Sequence, residues 1–94
     1  MNGKDFKLPS PIEMEILKLL TGREMYGMEI VRASGKLVSG SVYVFLERME
    51  DRKLISSRRV EIPGRRAPKR LFAVTPLGKK ACDAWQQVQA VMSA

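Results

Sequence analysis

Between Ser39 and Ile55 the chain reads SGSVYVFLERMEDRKLI, and everything else has to be fitted around this stretch. Val42, Phe45, Leu46 and Met49 recur at i, i+3, i+4 and i+7, the spacing that lines four apolar side chains along one face of an α-helix. That face has to be core. The opposite side carries Gly40, Ser41, Val44, Glu47, Arg48 and Asp51, and it opens with residues that are small and able to hydrogen-bond. Its first turn can therefore approach another surface closely. Just after it, Leu54 and Ile55 begin a β-prone run that ends in the basic segment Gly64-Arg-Arg-Ala-Pro-Lys-Arg70. A helix followed by a basic-tipped hairpin is the winged helix-turn-helix pattern, and it makes double-stranded DNA the first partner to consider.

The charge distribution points the same way. Residues 1–47 hold six Lys/Arg and six Asp/Glu, which cancel, whereas residues 48–80 hold eleven basic and three acidic side chains. The whole surplus behind the formal charge of +7 lies in the end of the central helix, the hairpin and the start of the last helix. Such a localised basic footprint favours a polyanion through counterion release. A basic face kept for solubility is the alternative.

Other function classes are closed off by what is missing. The sequence has no histidine, and Cys82 is its one cysteine, so an intrachain disulfide, the usual zinc sites and Ser-His-Asp or Cys-His catalysis are excluded. Paired carboxylates such as Glu13 with Glu15, or Glu50 with Asp51, read as solvated helix positions. No catalytic residue, metal or cofactor is expected. At 45% hydrophobic and 29% charged residues the 94-residue chain suits one folded domain with a modest core. With no apolar run approaching the roughly 20 residues of a membrane span, the expected location is the cytoplasm, at the nucleoid.

In chain order, residues 1–9 lack periodicity and read as a flexible arm. Ser10-Pro-Ile-Glu13 is a helix start, with serine as N-cap, proline at the first helical position and glutamate closing a capping box. Ile12, Ile16, Leu19 and Leu20 give this helix its stripe, and Gly22 is suited to a left-handed stop. A second helix is predicted from about Met25 to Ser34-Gly35, with Tyr26 and Ile30 toward the core and Gly27 allowing a close approach to a neighbour. Lys36-Leu-Val38 is a turn or a stub of strand, and Ser39 is the expected N-cap of the central helix. Leu54 to Ile62 and Arg70 to Thr75 then form two strands, with Phe72 and Val74 on one face and a tip of about six residues carrying Arg65, Arg66, Lys69 and Arg70.

Thr75-Pro76 begins a last helix, in which Leu77, Ala81, Ala84, Trp85, Val88, Val91 and Met92 form a stripe of about four turns. Such a stripe needs a partner. A second copy of the chain is the preferred one, giving two reading heads about a two-fold axis; in the alternative, Trp85 folds back on the first helix. The fold class is thus mainly α with a small β-hairpin: a winged helix-turn-helix with a three-helix core and two-stranded wing over 10–75, followed by a C-terminal dimerisation helix over 76–94.

Tyr26-Gly-Met-Glu-Ile30, the run from Gly40 to Ile55, and Arg70-Leu-Phe-Ala-Val-Thr75 with Gly78 together resemble the PadR-like family of bacterial transcriptional regulators, over roughly Ile12 to Ala81. The resemblance implies a homodimer joined by C-terminal helices, with the third helix in the major groove and the wing near the minor groove. It assigns Gly40, Ser41 and Tyr43 to the small-small-X-Tyr opening of the recognition helix and Arg48 to its basic position. It also makes Trp85 the residue beside which a small hydrophobic effector would bind. The chain departs from the pattern at Lys53, where glycine is common before Leu-Ile, and at Ser39, which replaces a frequent proline. Met28 and Phe72 replace frequent tyrosines, and the wing is longer than Gly-Arg-Pro-Arg, leaving open which arginine enters a groove.

The expected DNA-binding set is Ser39, Gly40, Ser41, Tyr43, Val44, Arg48, Arg65, Arg66, Lys69 and Arg70. Ser39 and Ser41 can reach phosphate or base edges, Val44 a thymine methyl, Arg48 a guanine or the backbone, and the wing cations phosphate or the minor groove. The expected function is that of a dimeric repressor that occludes a promoter. A protein-interaction adaptor on the same scaffold, or an architectural or phage-encoded accessory DNA binder, are the other readings.

Overall fold

The computed structural model describes residues 8–35 and 39–93, with the side chain of Ser39 excepted. The arm expected over 1–9 falls mostly outside these residues, as does the stub expected over 36–38.

Four helices, α1 (Pro11–Gly22), α2 (Gly27–Ser34), α3 (Ser39–Asp51) and α4 (Pro76–Ser93), surround a sheet of β1 (Met25–Tyr26), β2 (Ile55–Val60) and β3 (Lys69–Val74). The sheet is antiparallel in the order β1-β3-β2. The expected two-stranded wing therefore has a third strand, because Met25 and Tyr26 pair with Phe72 and Leu71 before α2 begins. Tyr26 is accordingly half-buried in a strand, not on a helix, and α2 starts two residues later than predicted.

The start of α1 follows the sequence closely. Ser10 Oγ accepts the Glu13 amide at 3.2 Å, and the Glu13 carboxylate accepts the Ser10 amide at 2.8 Å. Glu13 is not solvated as expected: it is buried at this helix start, and its two oxygens accept from Arg52 Nη1 at 3.3 Å, tying α1 to the end of α3. Gly22 remains inside α1, which ends on extended backbone at Arg23; the left-handed cap belongs to Gly35, at the end of α2. Likewise Ser39 is the first residue within α3, not the cap before it.

Val42, Leu46 and Met49 are fully buried, and they meet Met14, Ile16, Leu17 and Leu20 of α1, Ile30 of α2, and Ile55 and Phe72 of the sheet in one core. Phe45 packs half-buried against it. α3 ends in a Schellman turn: the Leu54 amide donates to Met49 O at 3.0 Å and the Lys53 amide to Glu50 O at 2.9 Å. Lys53 occupies the left-handed position of that turn with φ 65°, where glycine would be unstrained. Its neighbour Leu54 is buried, as the motif's closing apolar contact requires.

The same turn seats α4. Thr75 caps α4 by accepting the Gly78 amide on Oγ1 at 3.0 Å, and its own amide donates to Leu54 O at 3.1 Å. A Cβ on Gly78 would lie 2.1 Å from Leu54 O, so only glycine fits. Ala81 and Cys82 on the next turn complete the core.

Two substitutions at this joint should have opposite signs in urea unfolding. Gly78→Ala should destabilise by at least about 2 kcal/mol, because backbone atoms must part to admit the methyl group. Lys53→Gly should stabilise by about 0.5–1 kcal/mol, the released left-handed strain being partly offset by the freer unfolded chain.

Candidate nucleic-acid interface

Tyr43 and Val44 stand out from the first half of α3 at 43% and 47% exposure, flanked by exposed Gly40 and Arg48 and half-buried Ser41. Their exposure follows from the burial of Val42, Leu46 and Met49 on the other side. The acidic members of the exposed side, Glu47 and Asp51, lie in the second half of the helix, so a polyanion would meet its N-terminal turns more favourably. Ser39 opens those turns; its side chain lies outside the described atoms.

The Tyr43 ring is laid against the start of α2. A Cβ on Gly27 would come within 2.5 Å of Tyr43 Oη, which is the close approach that the glycine permits. Tyr43 thereby forms one wall of a cleft of about 260 Å³, with Tyr26, Gly27 and Met28 on a second side and Arg65, Lys69 and Arg70 of the wing on a third. The volume is below the roughly 300–1,000 Å³ usual for small-molecule sites, and the walls carry cations but no carboxylate. An extended anion such as a phosphodiester backbone suits it better than an enclosed ligand.

The loop over 61–68 that joins β2 to β3 is eight residues long, not about six. It opens with a turn in which Arg65 N–H donates to Ile62 O at 3.0 Å across Pro63 and Gly64, with Gly64 at φ 83°. Proline second and left-handed glycine third is the residue pattern of a type II turn. Arg65 and Arg66 follow it, exposed, and among the described residues neither makes an ion pair. Lys69 and Arg70 are not on the tip but begin β3. Lys69 Nζ lies 5.2 Å from the centroid of the Tyr26 ring, which holds it at the cleft wall. Arg70 also lines the cleft, and its guanidinium pairs with Glu50 of α3.

The capping of α2 also bears on the cleft. Glu29 accepts the Tyr26 amide at 2.9 Å and the Arg23 guanidinium at 3.3 Å. The amide bond foremost, with help from Arg23 and Lys69, holds its carboxyl below the usual glutamate value. Burial raises the Cys82 thiol, which faces away from the cleft between α1 and α4.

The residues expected at a dimer interface divide. Ala81 is 1% exposed and belongs to the domain's own core, and Trp85 packs half-buried on that core with Lys18 Nζ of α1 5.2 Å from its ring. For these two the fold-back alternative holds. Leu77 and Ala84 lie at the margin, whereas Val88, Val91 and Met92 are exposed, the last two at 74% and 78%. Among the described residues no helix is long and apolar enough to cross a membrane, and no group of His, Cys, Asp or Glu is placed to hold a metal ion.

The sequence reading missed Tyr26 and Met28 as walls of the cleft. A strand of two residues has no periodicity to detect, although Tyr26-Gly27 ahead of Glu29 carries the spacing of a helix start.

Residues 16–84 match the family model described as the transcriptional regulator PadR-like family. Solved structures of similar fold include a PadR family transcription regulator of hypervirulent Clostridium difficile, 25% identical, with TM-score 0.74 over 89% of this chain and 96% of that one. Bacillus subtilis PadR in complex with operator DNA is 23% identical, with TM-score 0.75 over 82% of this chain and 47% of that one. A PadR-like transcriptional regulator of Bacillus cereus is 23% identical, with TM-score 0.73 over 87% and 84%. No curated protein matches in sequence.

A folded-state carboxyl below its unfolded value contributes stability that is present above the unfolded value and lost as pH falls through the folded one. Glu29→Gln should therefore flatten the decline in thermal midpoint below about pH 4.5, the ordinary glutamate value. Parallel melts of the two proteins from neutral to acid pH would reveal an unchanged decline if Glu29 were not so engaged.

Proposed function

The chain belongs to the PadR-like family of transcriptional regulators, and from that premise we propose that it is a sequence-specific repressor of double-stranded DNA, working as a homodimer in the cytoplasm. α3 enters the major groove and the basic wing lies at the adjoining minor groove. The observation that carries this reading is the shared cleft: Tyr43 of the helix and Arg65 and Lys69 of the wing line the same concavity, so one duplex can meet both. The operator complex of Bacillus subtilis PadR, whose fold this chain shares, supports the same partner. In this reading the protein acts by occupying a promoter and not by catalysis.

The residues divide by task. Gly40 lets the first turn of α3 come close, Ser41 and Val44 meet base edges, and Arg48 meets a guanine or the backbone. Tyr43, Arg65, Arg66 and Lys69 hold phosphate and fix the register without reading much sequence. Ser39, at the first position of α3, contributes its amide to the same end. The DNA-binding domain begins at residue 10 and takes in the first half of α4, whose second half serves as the dimer helix. Val88, Val91 and Met92, with Ala84 and Gln87, line an open apolar groove along its second half, and a second copy of α4 would cover it.

Titration of duplexes at two salt concentrations tests the core of the proposal, since an adaptor that docks proteins would show no steep salt slope. Arg65→Ala with Arg66→Ala should weaken binding to all duplexes and reduce the slope of log K against log salt by up to about 1.8, about 0.9 for each phosphate no longer neutralised. Changing Ser41 or Val44 should instead alter the preferred sequence recovered from a random pool; a loss equal for every sequence would reduce α3 to a positioning element. Val91→Glu should convert a dimer to a monomer by mass in solution, and an unchanged mass would remove α4 from the interface.

A further inference from the structure

We propose that Arg70, although it belongs to the basic wing, does not contact DNA but is the positioning residue that fixes the wing on the recognition helix; the proposal rests on the DNA-binding reading above. Ile55 lies opposite Val74, Ser57 opposite Phe72 and Arg59 opposite Arg70, so these six share one face of the sheet. Phe72 and Ile55 make that face core. Arg70 is one pleat farther out on the same side, exposed beside the end of α3.

There the guanidinium closes a ring of three elements. Its Nη2 pairs with Glu50 Oε1 of α3 and donates to Ser57 Oγ of β2 at 2.8 Å, while Nε donates to the same hydroxyl at 3.3 Å. Ser57 Oγ in turn donates to Glu50 Oε2 at 2.7 Å. The guanidinium carbon stands 5.0 Å from the centroid of the Phe72 ring, so the planar group is also held from below. Serine supplies one hydrogen and Glu50 two acceptors, so Nε and Nη2 of Arg70 are engaged within the ring, whereas its Nη1 takes no part in it.

Two consequences separate Arg70 from Arg65. The charge of Arg70 is already neutralised by Glu50, so it has little to offer a phosphate and few counterions to release. Its bonds run from β3 to α3 and to β2, so the angle of the wing on the recognition helix depends on it. Arg65, by contrast, leaves the loop with no ion pair among the described residues; both arginines line the cleft, and the pairing with Glu50 is what separates them. The wing thus uses one arginine to set the frame and others to grip.

The experiment compares Arg70→Gln, Glu50→Gln, the double variant and Arg65→Gln in duplex titrations over a range of salt. Arg70→Gln should lower affinity roughly 3- to 30-fold with the salt slope unchanged, while Arg65→Gln should lower the slope by about 0.9. Glu50→Gln is the sharper arm. Removing a carboxylate near DNA would tighten binding on charge alone, whereas loss of the lock should weaken it about as much as Arg70→Gln does, with the double variant no worse than either. A slope reduced equally by Arg70→Gln and Arg65→Gln, an unchanged affinity, or tighter binding by Glu50→Gln would each overturn the assignment. Should Arg70→Gln fail to fold, Glu50→Gln alone decides by the sign of its effect. Absence of salt-dependent duplex binding by the wild type would sink the functional reading instead, and the lock would then stand or fall on the unfolding energies of the four combinations, where strict additivity refutes it.

Discussion

The carbonyl group of Leu54 is where four elements of this fold are joined. It leads from the turn that the Leu54 amide closes at the end of α3 into β2, accepts the Thr75 amide that follows β3, and lies so near Gly78 that the first turn of α4 is pressed against it. The Thr75 hydroxyl is shared between Lys53 O at 2.6 Å and Leu54 O at 3.0 Å, so both peptide oxygens of the turn are engaged inside the structure. The part-buried Leu54 oxygen has to be satisfied, and here a single threonine side chain and amide do so while also capping a helix. The left-handed lysine next to them is a local cost accepted by that arrangement.

From this joint the wing rises at an angle set at two levels. Near the root, Ile55 and Phe72 are fixed by the core; farther out, the ring of Arg70, Glu50 and Ser57 continues the attachment where apolar burial stops. Carboxylates likewise engage Arg52 and Arg58, through Glu13 and Glu24, so part of the basic surplus is neutralised inside the domain. An exposed pair such as Arg58 with Glu24 adds little stability, but each carboxylate lowers the positive potential beside it. Arg65 and Lys69, at the cleft shared with Tyr43, are among the cations with no ion pair within the described residues. The net charge therefore overstates the positive charge left unpaired within the domain.

The parts of this fold with a strong period were legible in the chain. Val42, Leu46 and Met49, the capping box at Ser10 and Glu13, and the Thr75 cap are local patterns, and each stands where the sequence put it. Long-range choices were less accessible. The strand at Met25–Tyr26 exists because β3 offers an edge, and Gly22 lost the left-handed role to Gly35 because the chain leaves α1 on extended backbone. Arg70 illustrates the difference most clearly: composition counts it with the wing cations, yet its place two residues before Phe72 puts it on the core side of the pleat, where Glu50 waits. Alternation was enough to suggest the side, but not to supply the partner.

The two halves of α4 obey different constraints, and the joint at Leu54 links them. Gly78, Ala81 and Cys82 are committed to the domain, with Trp85 packed over the edge of the core, so the direction in which the helix departs is fixed before its exposed half begins. Val88, Val91 and Met92 then continue a straight apolar stripe beyond anything the domain can cover. In a dimer built on that stripe, the separation and tilt of the two recognition helices follow from the seating of Gly78 against Leu54 as much as from the interface itself. The half-site spacing of such a dimer would thus depend on a contact between a glycine and a carbonyl oxygen inside the domain.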